Sequence, residues 1–541
     1  MAATPGISSS SSSSSSLMSY LLYFSVILTL ILSSLEKGFA LEENQRPRTV
    51  EPHPVSHTVE LNSLLPATSC SPSSSAKGTT ETGRRTRVRE GVNVWFGIEV
   101  ILKKIGIKKS CGESKESSSS SVLKVVHKHG PCSRINKNKS KTLTHAQILN
   151  QDQARVDSIH SLFNTNKSPS TTTVGKPHPS AAATIPAKSG SVLGSGNYIV
   201  NVGLGSPKKQ LSLIFDTGSD LTWTQCRPCA GSCYDQKEPI FDPATSASYV
   251  NVSCNSATCS QLASATGYNP RCYTSTCIYT IGYGDRSFSV GYFGKERLSL
   301  TSTDVFDGFL FGCGQNNQGH FGGAAGLLGL GRDNISLVEQ SALKYNRFFS
   351  YCLPSTSSGT GYLRFGKGGR SSKGVKFTPL VDVSDSGSFY GLNVVGISVG
   401  GKKLPISGEV FSSSGTIIDS GTVITRLQAT AYRALRDAFR QQMKSYTSAP
   451  ALSILDTCYD FSNVKTPTYP KISFAFGGGM TLDLDETGIM YVASADQVCL
   501  AFAGNGDDSD VGIFGNVQQK RLQVVYDVGG RKIGFAPAGC P

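Results

Sequence analysis

The larger, second part of this sequence predicts an all-β fold, and three observations carry the prediction. From Tyr198 onward, short apolar runs rich in Val, Ile, Phe and Tyr are punctuated by Gly and Ser at intervals of about ten residues, the texture of many short strands. Only two stretches read as helices: 430–443, where Ala431, Leu435, Phe439 and Met443 share one face, and a short one at 335–344. So few helices exclude an α/β protein. Third, the chain echoes itself. LIFDTGS at 213–219 returns as TIIDSGT at 416–422, and each is followed downstream by apolar residues and Gly, GLLGLG at 326–331 and GIFGNV at 512–517.

Ahead of this part the texture differs. Residues 1–16 are Ser-rich and uncharged, and 19–32 form an apolar run of signal-peptide length before Gly38 and Ala40, so residues 1–40 read as a signal peptide cleaved after Ala40. A transmembrane anchor and a plastid transit peptide are the alternatives. Of 15 cysteines, twelve follow residue 190, an even number that suits six bridges and an oxidising compartment, which favours secretion. Residues 41–190 read as a prosegment and linker, poor in core-forming residues and carrying a basic stretch from Lys103 to Lys141. One helix is expected within 144–163, with Ile148, Val156, Ile159 and Phe163 on one face and Thr144 as N-cap. The Ser/Thr/Pro/Ala stretch 168–196 reads as an exposed linker open to proteolysis. Residues 84–111 fit neither the prosegment nor its Ser-rich flanks.

The charge and histidine distributions narrow the chemistry. The net charge is +14, but 23 basic and 12 acidic side chains before residue 191 place +11 there, leaving +3 for the rest. The second part is therefore nearly neutral, and no nucleic-acid partner is expected for it. Seven of the eight histidines lie at or before His178, so only His320 could serve a Ser/His/Asp or Cys/His hydrolase, and a His-rich zinc site cannot form. Neither a metal nor a cofactor is expected. The rival reading of Cys226, Cys229 and Cys233 as a zinc site lacks a nearby His.

The repeated motif has a direct physical reading. A strand ending in a tight Gly turn presents Asp at its tip, and hydroxyls on either side of the Gly can donate to that carboxylate and to the opposite turn. Two such turns facing one another bring Asp216 and Asp419 so close that both cannot be ionised and they share a proton. One then serves as general base towards water while the other, protonated, polarises a carbonyl. Amide hydrolysis favoured by acid follows, with no need of His, Cys or metal.

Carried by these motifs, the stretch from Asn197 to Cys540 resembles the pepsin-like aspartic proteases, and more narrowly the atypical plant branch that includes nepenthesin. The resemblance implies a bilobal fold, with residues 191–378 as N-terminal lobe bearing a Cys-rich insertion and flap, and 379–541 as C-terminal lobe. It implies Asp216 and Asp419 as the catalytic pair, Ser219 and Thr422 on their outer oxygens, Thr217 and Ser420 interlocking the turns, and Gly218 and Gly421 within them. GYGD at 282–285 matches the flap, which makes Tyr283 and Gly284 substrate-binding and Trp223 the indole partner of Tyr283; Arg286 departs from the Gly usual after that Asp. Only 92 residues separate Asp419 from Gly512, too few for a saposin-like insert. Seven cysteines instead crowd between Asp216 and Tyr283, and the family pattern implies the pairs Cys226–Cys229, Cys233–Cys313, Cys254–Cys277, Cys259–Cys272, Cys352–Cys540 and Cys458–Cys499.

The expected function is a secreted, disulfide-bonded glycoprotein made as a zymogen, an aspartic endopeptidase acting on protein or peptide substrates in acid. After signal removal neither membrane association nor oligomerisation is expected. Two other readings stay open: a plastid nucleoid protease that binds DNA through its basic N-terminal part, and an inactive scaffold serving as an inhibitor or binding protein.

Overall fold

The computed structural model describes residues 121–128, 132–135, 144–165, 198–283, 287–319, 321–356, 359–367, 374–383, 387–537 and 539–540, with the backbone alone of 56–58. The expected signal peptide, residues 84–111, the linker, Gly284, Arg286 and His320 lie outside them.

From Tyr198 the chain is built of strands in two lobes. In the first, Tyr198–Leu204 pairs antiparallel with Lys209–Asp216, and the long strands Phe288–Ser299 and Val305–Gln318 form a hairpin against Thr276–Gly282. In the second, four-stranded sheets formed around Val394–Val399 and Ile472–Phe476, and around Cys458–Asp460 and Gln497–Leu500, flank the strands Thr416–Ile418 and Gly512–Phe514. A sheet beneath both lobes runs through Thr360–Phe365, Phe348–Cys352, Gln523–Asp527, Lys532–Ala536 and Lys376–Val381 in that order. Strands from distant parts of the chain thus share one floor, where the Phe349 and Tyr526 rings stack and Tyr390 packs edge-on against both.

The floor has a further strand that belongs to neither lobe. Ser121–His127 lies between Thr360–Phe365 and the start of Tyr198–Leu204, antiparallel to both, and buries Leu123, Val125 and Val126. The segment ahead of Tyr198 contributes a second element, helix α1 at His145–Thr165. It opens with a reciprocal cap: the Thr144 hydroxyl accepts from the Gln147 N–H, and the Gln147 side chain accepts from the Thr144 N–H. Its buried face is Leu149, Val156, Ile159 and Phe163; Leu149 takes the place expected of Ile148, which is only half-buried.

The two helices expected in the second part lie near their places, and short helices at Ala257–Ser260, Leu262–Thr266 and Gly408–Ser412 were not expected. The stretch at 335–344 forms two short helices, α2 at Leu337–Gln340 and α3 at Ala342–Tyr345, and α4 spans Ala429–Gln442 with Ala431, Tyr432, Leu435 and Phe439 buried.

The twelve cysteines from Cys226 to Cys540 form six bridges, but four of the six expected pairs are corrected. Cys352–Cys540 and Cys458–Cys499 are as expected, whereas the insertion pairs Cys226–Cys313, Cys229–Cys233, Cys254–Cys272 and Cys259–Cys277. The physical reason is burial. Cys226, just past the strand Trp223–Gln225, and Cys313, on the strand parallel to it, are both fully buried, as are Cys259 and Cys277, while the more accessible cysteines are left to pair with each other. With Cys226, Cys229 and Cys233 all bridged, no thiolate of that cluster is free for zinc. Peptide mapping under non-reducing conditions should recover the Cys254–Cys272 and Cys259–Cys277 links; recovery of Cys254–Cys277 would contradict this pairing. Loss of the buried Cys226–Cys313 bridge should cost about 2–5 kcal/mol.

Candidate active site

The two echoed segments meet in the structure. Lys209–Asp216 runs parallel to Gly326–Gly329 with Asp216 opposite Gly329, and Thr416–Ile418 runs parallel to Gly512–Phe514. Each Asp is carried out of the core on a buried strand and held at the strand end by backbone bonds: Leu330 N–H to the Asp216 carbonyl at 2.9 Å, and Asp419 N–H to the Phe514 carbonyl at 3.1 Å.

The turns after these strands interlock. The Thr217 N–H donates to the Ser420 hydroxyl at 3.1 Å, and the Ser420 N–H donates to the Thr217 hydroxyl at 2.9 Å. Outside them, Ser219 donates to Asp216 Oδ2 at 2.8 Å and Thr422 to Asp419 Oδ2 at 2.6 Å. The inner oxygens accept from the turn backbone, Gly218 N–H at 3.1 Å and Gly421 N–H at 2.8 Å. Both positions require Gly, since a Cβ on Gly218 would stand 2.7 Å from Asp419 Oδ1 and one on Gly421 2.5 Å from Asp216 Oδ1. On the far side, Trp223 Nε1 donates to the Tyr283 hydroxyl at 2.8 Å, and Tyr283 N–H to the Ser287 carbonyl at 2.8 Å closes the base of the hairpin. The expected site residues that are described converge here; Gly284, like Arg286, lies outside the described residues.

Three further side chains complete the site and were not singled out in the sequence. Helix α1 crosses the two turns and places Arg155 between the carboxylates: its Nη2 donates to Asp216 Oδ1 at 2.7 Å and to Asp419 Oδ1 at 3.1 Å, and its Nε donates to Asp419 Oδ2 at 2.9 Å. One turn earlier, Asp152 accepts from the Val423 N–H at 2.5 Å and the Ile424 N–H at 3.0 Å and pairs with Arg426 at 3.0 Å. Around them Leu149 packs with Val423, Ile424 and Val517, and Val156, Ile159 and Phe163 pack with Phe389, Ile417 and Ile513. The apolar stripe of α1 held a trace of this: Asp152 and Arg155 fall at helical spacing on the same face as Val156 and Ile159, where a charge requires a partner.

The electrostatics follow from burial and from Arg155. Burial works to raise the Asp419 carboxyl, but Arg155, Thr422 and the Gly421 N–H outweigh it and hold it below the ordinary carboxylate value. Burial pushes Asp216 upward, with Arg155 opposing and the charge of Asp419 adding to the rise. Arg155 itself holds its proton more firmly than a free guanidinium because burial is outweighed by the two carboxylates. Burial also drives the Tyr283 phenol upward, so it stays a neutral donor or acceptor.

Among the described residues no group of His, Cys, Asp and Glu side chains is arranged to hold a metal ion, and no helix is long and apolar enough to cross a membrane.

A two-lobed β-protein with one Asp-hydroxyl-Gly-hydroxyl turn from each lobe is the architecture of an aspartic-type peptidase, and comparisons agree. The chain matches the family models described as xylanase inhibitor N-terminal, over 198–367, and xylanase inhibitor C-terminal, over 389–537. It is 58% identical over 426 residues to an aspartyl protease family protein of Arabidopsis thaliana, covering 79% of this chain and 89% of that one. It is 38% identical over 356 residues to aspartic proteinase nepenthesin-2 of Nepenthes gracilis, covering 64% and 78%. Basic 7S globulin from soybean shares the fold at TM-score 0.51 and 22% identity, over 63% of this chain and 92% of that one. The chain belongs to the pepsin-like aspartic protease family. Within it, this protein is an aspartic-type endopeptidase of the plant subgroup that includes the nepenthesins.

Proposed function

We propose that the chain is a secreted zymogen in which residues 1–40 are the signal peptide, 41–190 the prosegment and linker, and 191–378 and 379–541 the two lobes, with Asp216 and Asp419 as the catalytic pair. One observation carries the zymogen reading: Arg155, from the segment ahead of the lobes, bonds both carboxylates at once. While it is there, a water and a peptide carbonyl have no access to either inner oxygen. Once it leaves, two buried carboxylates facing each other cannot both be ionised, and the shared proton equips the site for water attack. The unprotonated member takes a proton from water, whose oxygen adds to the carbonyl. The protonated member donates to the carbonyl oxygen, and collapse of the tetrahedral species returns a proton to the leaving amine. Tyr283, tethered by Trp223, would cover the peptide from the flap side.

The reading sharpens the expectation of a diffuse basic prosegment. Among its described basic residues, Arg155 is the one that touches the carboxylates. The test is to hold the full-length chain at neutral and at acid pH, following its mass and peptide hydrolysis together. Shortening towards residue 190 with a parallel rise in activity is expected in acid, blocked by a statine-type transition-state mimic. Full-length chain as active as the shortened form would overturn it.

The nearly neutral lobes should bind DNA weakly. In a gel-shift titration at two salt concentrations, protein beginning near residue 190 should show no tight, salt-sensitive complex. Such a complex would instead favour the plastid reading. The intact pair and its hydroxyls count against an inactive scaffold.

A further inference from the structure

The carboxylate of Asp152 occupies a set of donors that the lobes themselves build. Two successive backbone N–H groups, of Val423 and Ile424, and the Arg426 guanidinium all point at it, so charge and geometry together suit one planar carboxylate. Arg426 is 1% exposed and its other bonds are to the Ile424 carbonyl at 2.8 Å and to Gln153 of α1 at 3.4 Å; its Nε has no partner. Among the described residues, no carboxylate of the lobes pairs with it. Withdrawal of α1 therefore leaves a guanidinium and two N–H groups opening on the cleft with their acceptor gone, an arrangement whose buried donors are costly to leave unmatched.

We propose that in the processed enzyme this site binds the side-chain carboxylate of an Asp or Glu in the substrate, making Arg426 a determinant of specificity. The inference rests on the removal of α1 proposed above. Its distance from the reaction can be read from the helix. Asp152 and Arg155 are three residues apart, about 4.5 Å along a helix axis, and an extended peptide advances about 3.3 Å per residue. The acidic residue should lie one or two positions from the bond that is cut. Leu149, beside Asp152, packs in an apolar pocket of Val423, Ile424, Leu455, Ala501 and Val517, so the preferred peptide carries an apolar side chain next to the acidic one.

The test uses the acid-processed enzyme at pH 5, where Glu side chains are mostly ionised. A peptide with a fixed scissile pair is varied to carry Glu, or Gln in its place, at each of the two positions on either side. At one position the Glu peptide should be cut with kcat/KM about tenfold or more above its Gln counterpart, the scale of one charge-assisted hydrogen bond. Arg426→Gln should bring that ratio close to one, and Arg426→Lys, which keeps a charge without the planar fork, should retain part of it. A ratio near one at every position in the unaltered enzyme, or a preference undiminished in Arg426→Gln, would overturn the proposal. Total hydrolysis, which Asp419→Asn should remove for Glu and Gln peptides alike, reports the catalytic pair; only the ratio reports Arg426.

Discussion

Asp419→Asn, and equally Asp216→Asn, is expected to abolish peptide hydrolysis in the processed enzyme while leaving the fold intact. Each carboxylate has a proton-transfer role that an amide cannot fill, and loss of such a role costs about 10²–10⁴-fold or more in rate. The fold should survive because Asn keeps the shape of Asp and an oxygen that can accept from Thr422 or Ser219, the bonds of 2.6 and 2.8 Å that fix the outer side of each group. The interlock between Thr217 and Ser420 is independent of the carboxylates. Removing a buried charge also removes its desolvation cost, which offsets the Gly218 or Gly421 N–H that the amide nitrogen leaves without an acceptor, so thermal unfolding should occur at a similar temperature. Hydrolysis by purified Asp419→Asn protein at more than about one hundredth of the normal rate would contradict the assignment.

Arg155→Gln should remove latency. In the unprocessed chain Arg155 is the counter-charge to both carboxylates, and without it two buried acids face each other with α1 still over them. The pair can then share a proton, and α1 has lost the three bonds that tie it to the carboxylates, so it should leave the turns more readily, giving full-length protein near pH 6 about tenfold or more of the activity of the unaltered precursor.

The pH dependence of the unaltered chain follows from the signs of the shifts. Asp419 is held below its ordinary value in the closed state, so its contribution to closure is complete above that ordinary value and is lost as pH falls through the depressed one. His145 acts in the same direction at higher pH: burial against Tyr491 lowers its value, so closure favours neutral His145 and weakens as pH falls below 6.5 and the ring must charge. Asp152 and Asp216 oppose them, because burial raises both carboxyls despite Arg426 and Arg155, and a proton taken up at either favours closure. Closure should therefore loosen in two stages, slightly on leaving neutrality and fully only below the ordinary carboxylate range. His145→Ala should flatten the first stage and Arg155→Gln should abolish the second. A precursor that converts equally fast at pH 7 and pH 3 would contradict both assignments.

What the sequence determined by itself is what short-range chemistry dictates. Asp-hydroxyl-Gly-hydroxyl at the end of an apolar strand has few ways to turn, so Asp216 and Asp419 and the roles open to Thr217, Ser219, Ser420 and Thr422 were legible from their neighbours and from the repetition of the pattern. The helices at Ala429–Gln442 and His145–Thr165 were legible for a similar reason, since apolar residues at helical spacing need nothing distant to identify a face. Tertiary structure decided the rest wherever partners lie far apart in sequence and several choices satisfy the local rules. Cys254 and Cys259 each had two acceptable partners in Cys272 and Cys277, and only the burial of Cys259 and Cys277 in one cluster chose between them. Ser121–His127 alternates too weakly to declare itself a strand, and it is one because two edges of the floor flank it. Arg155 reads in sequence as one basic residue among many. It becomes the partner of both Asp216 and Asp419 because α1, anchored by its apolar stripe and by Asp152 on Arg426, carries it to a place where two like charges need a cation.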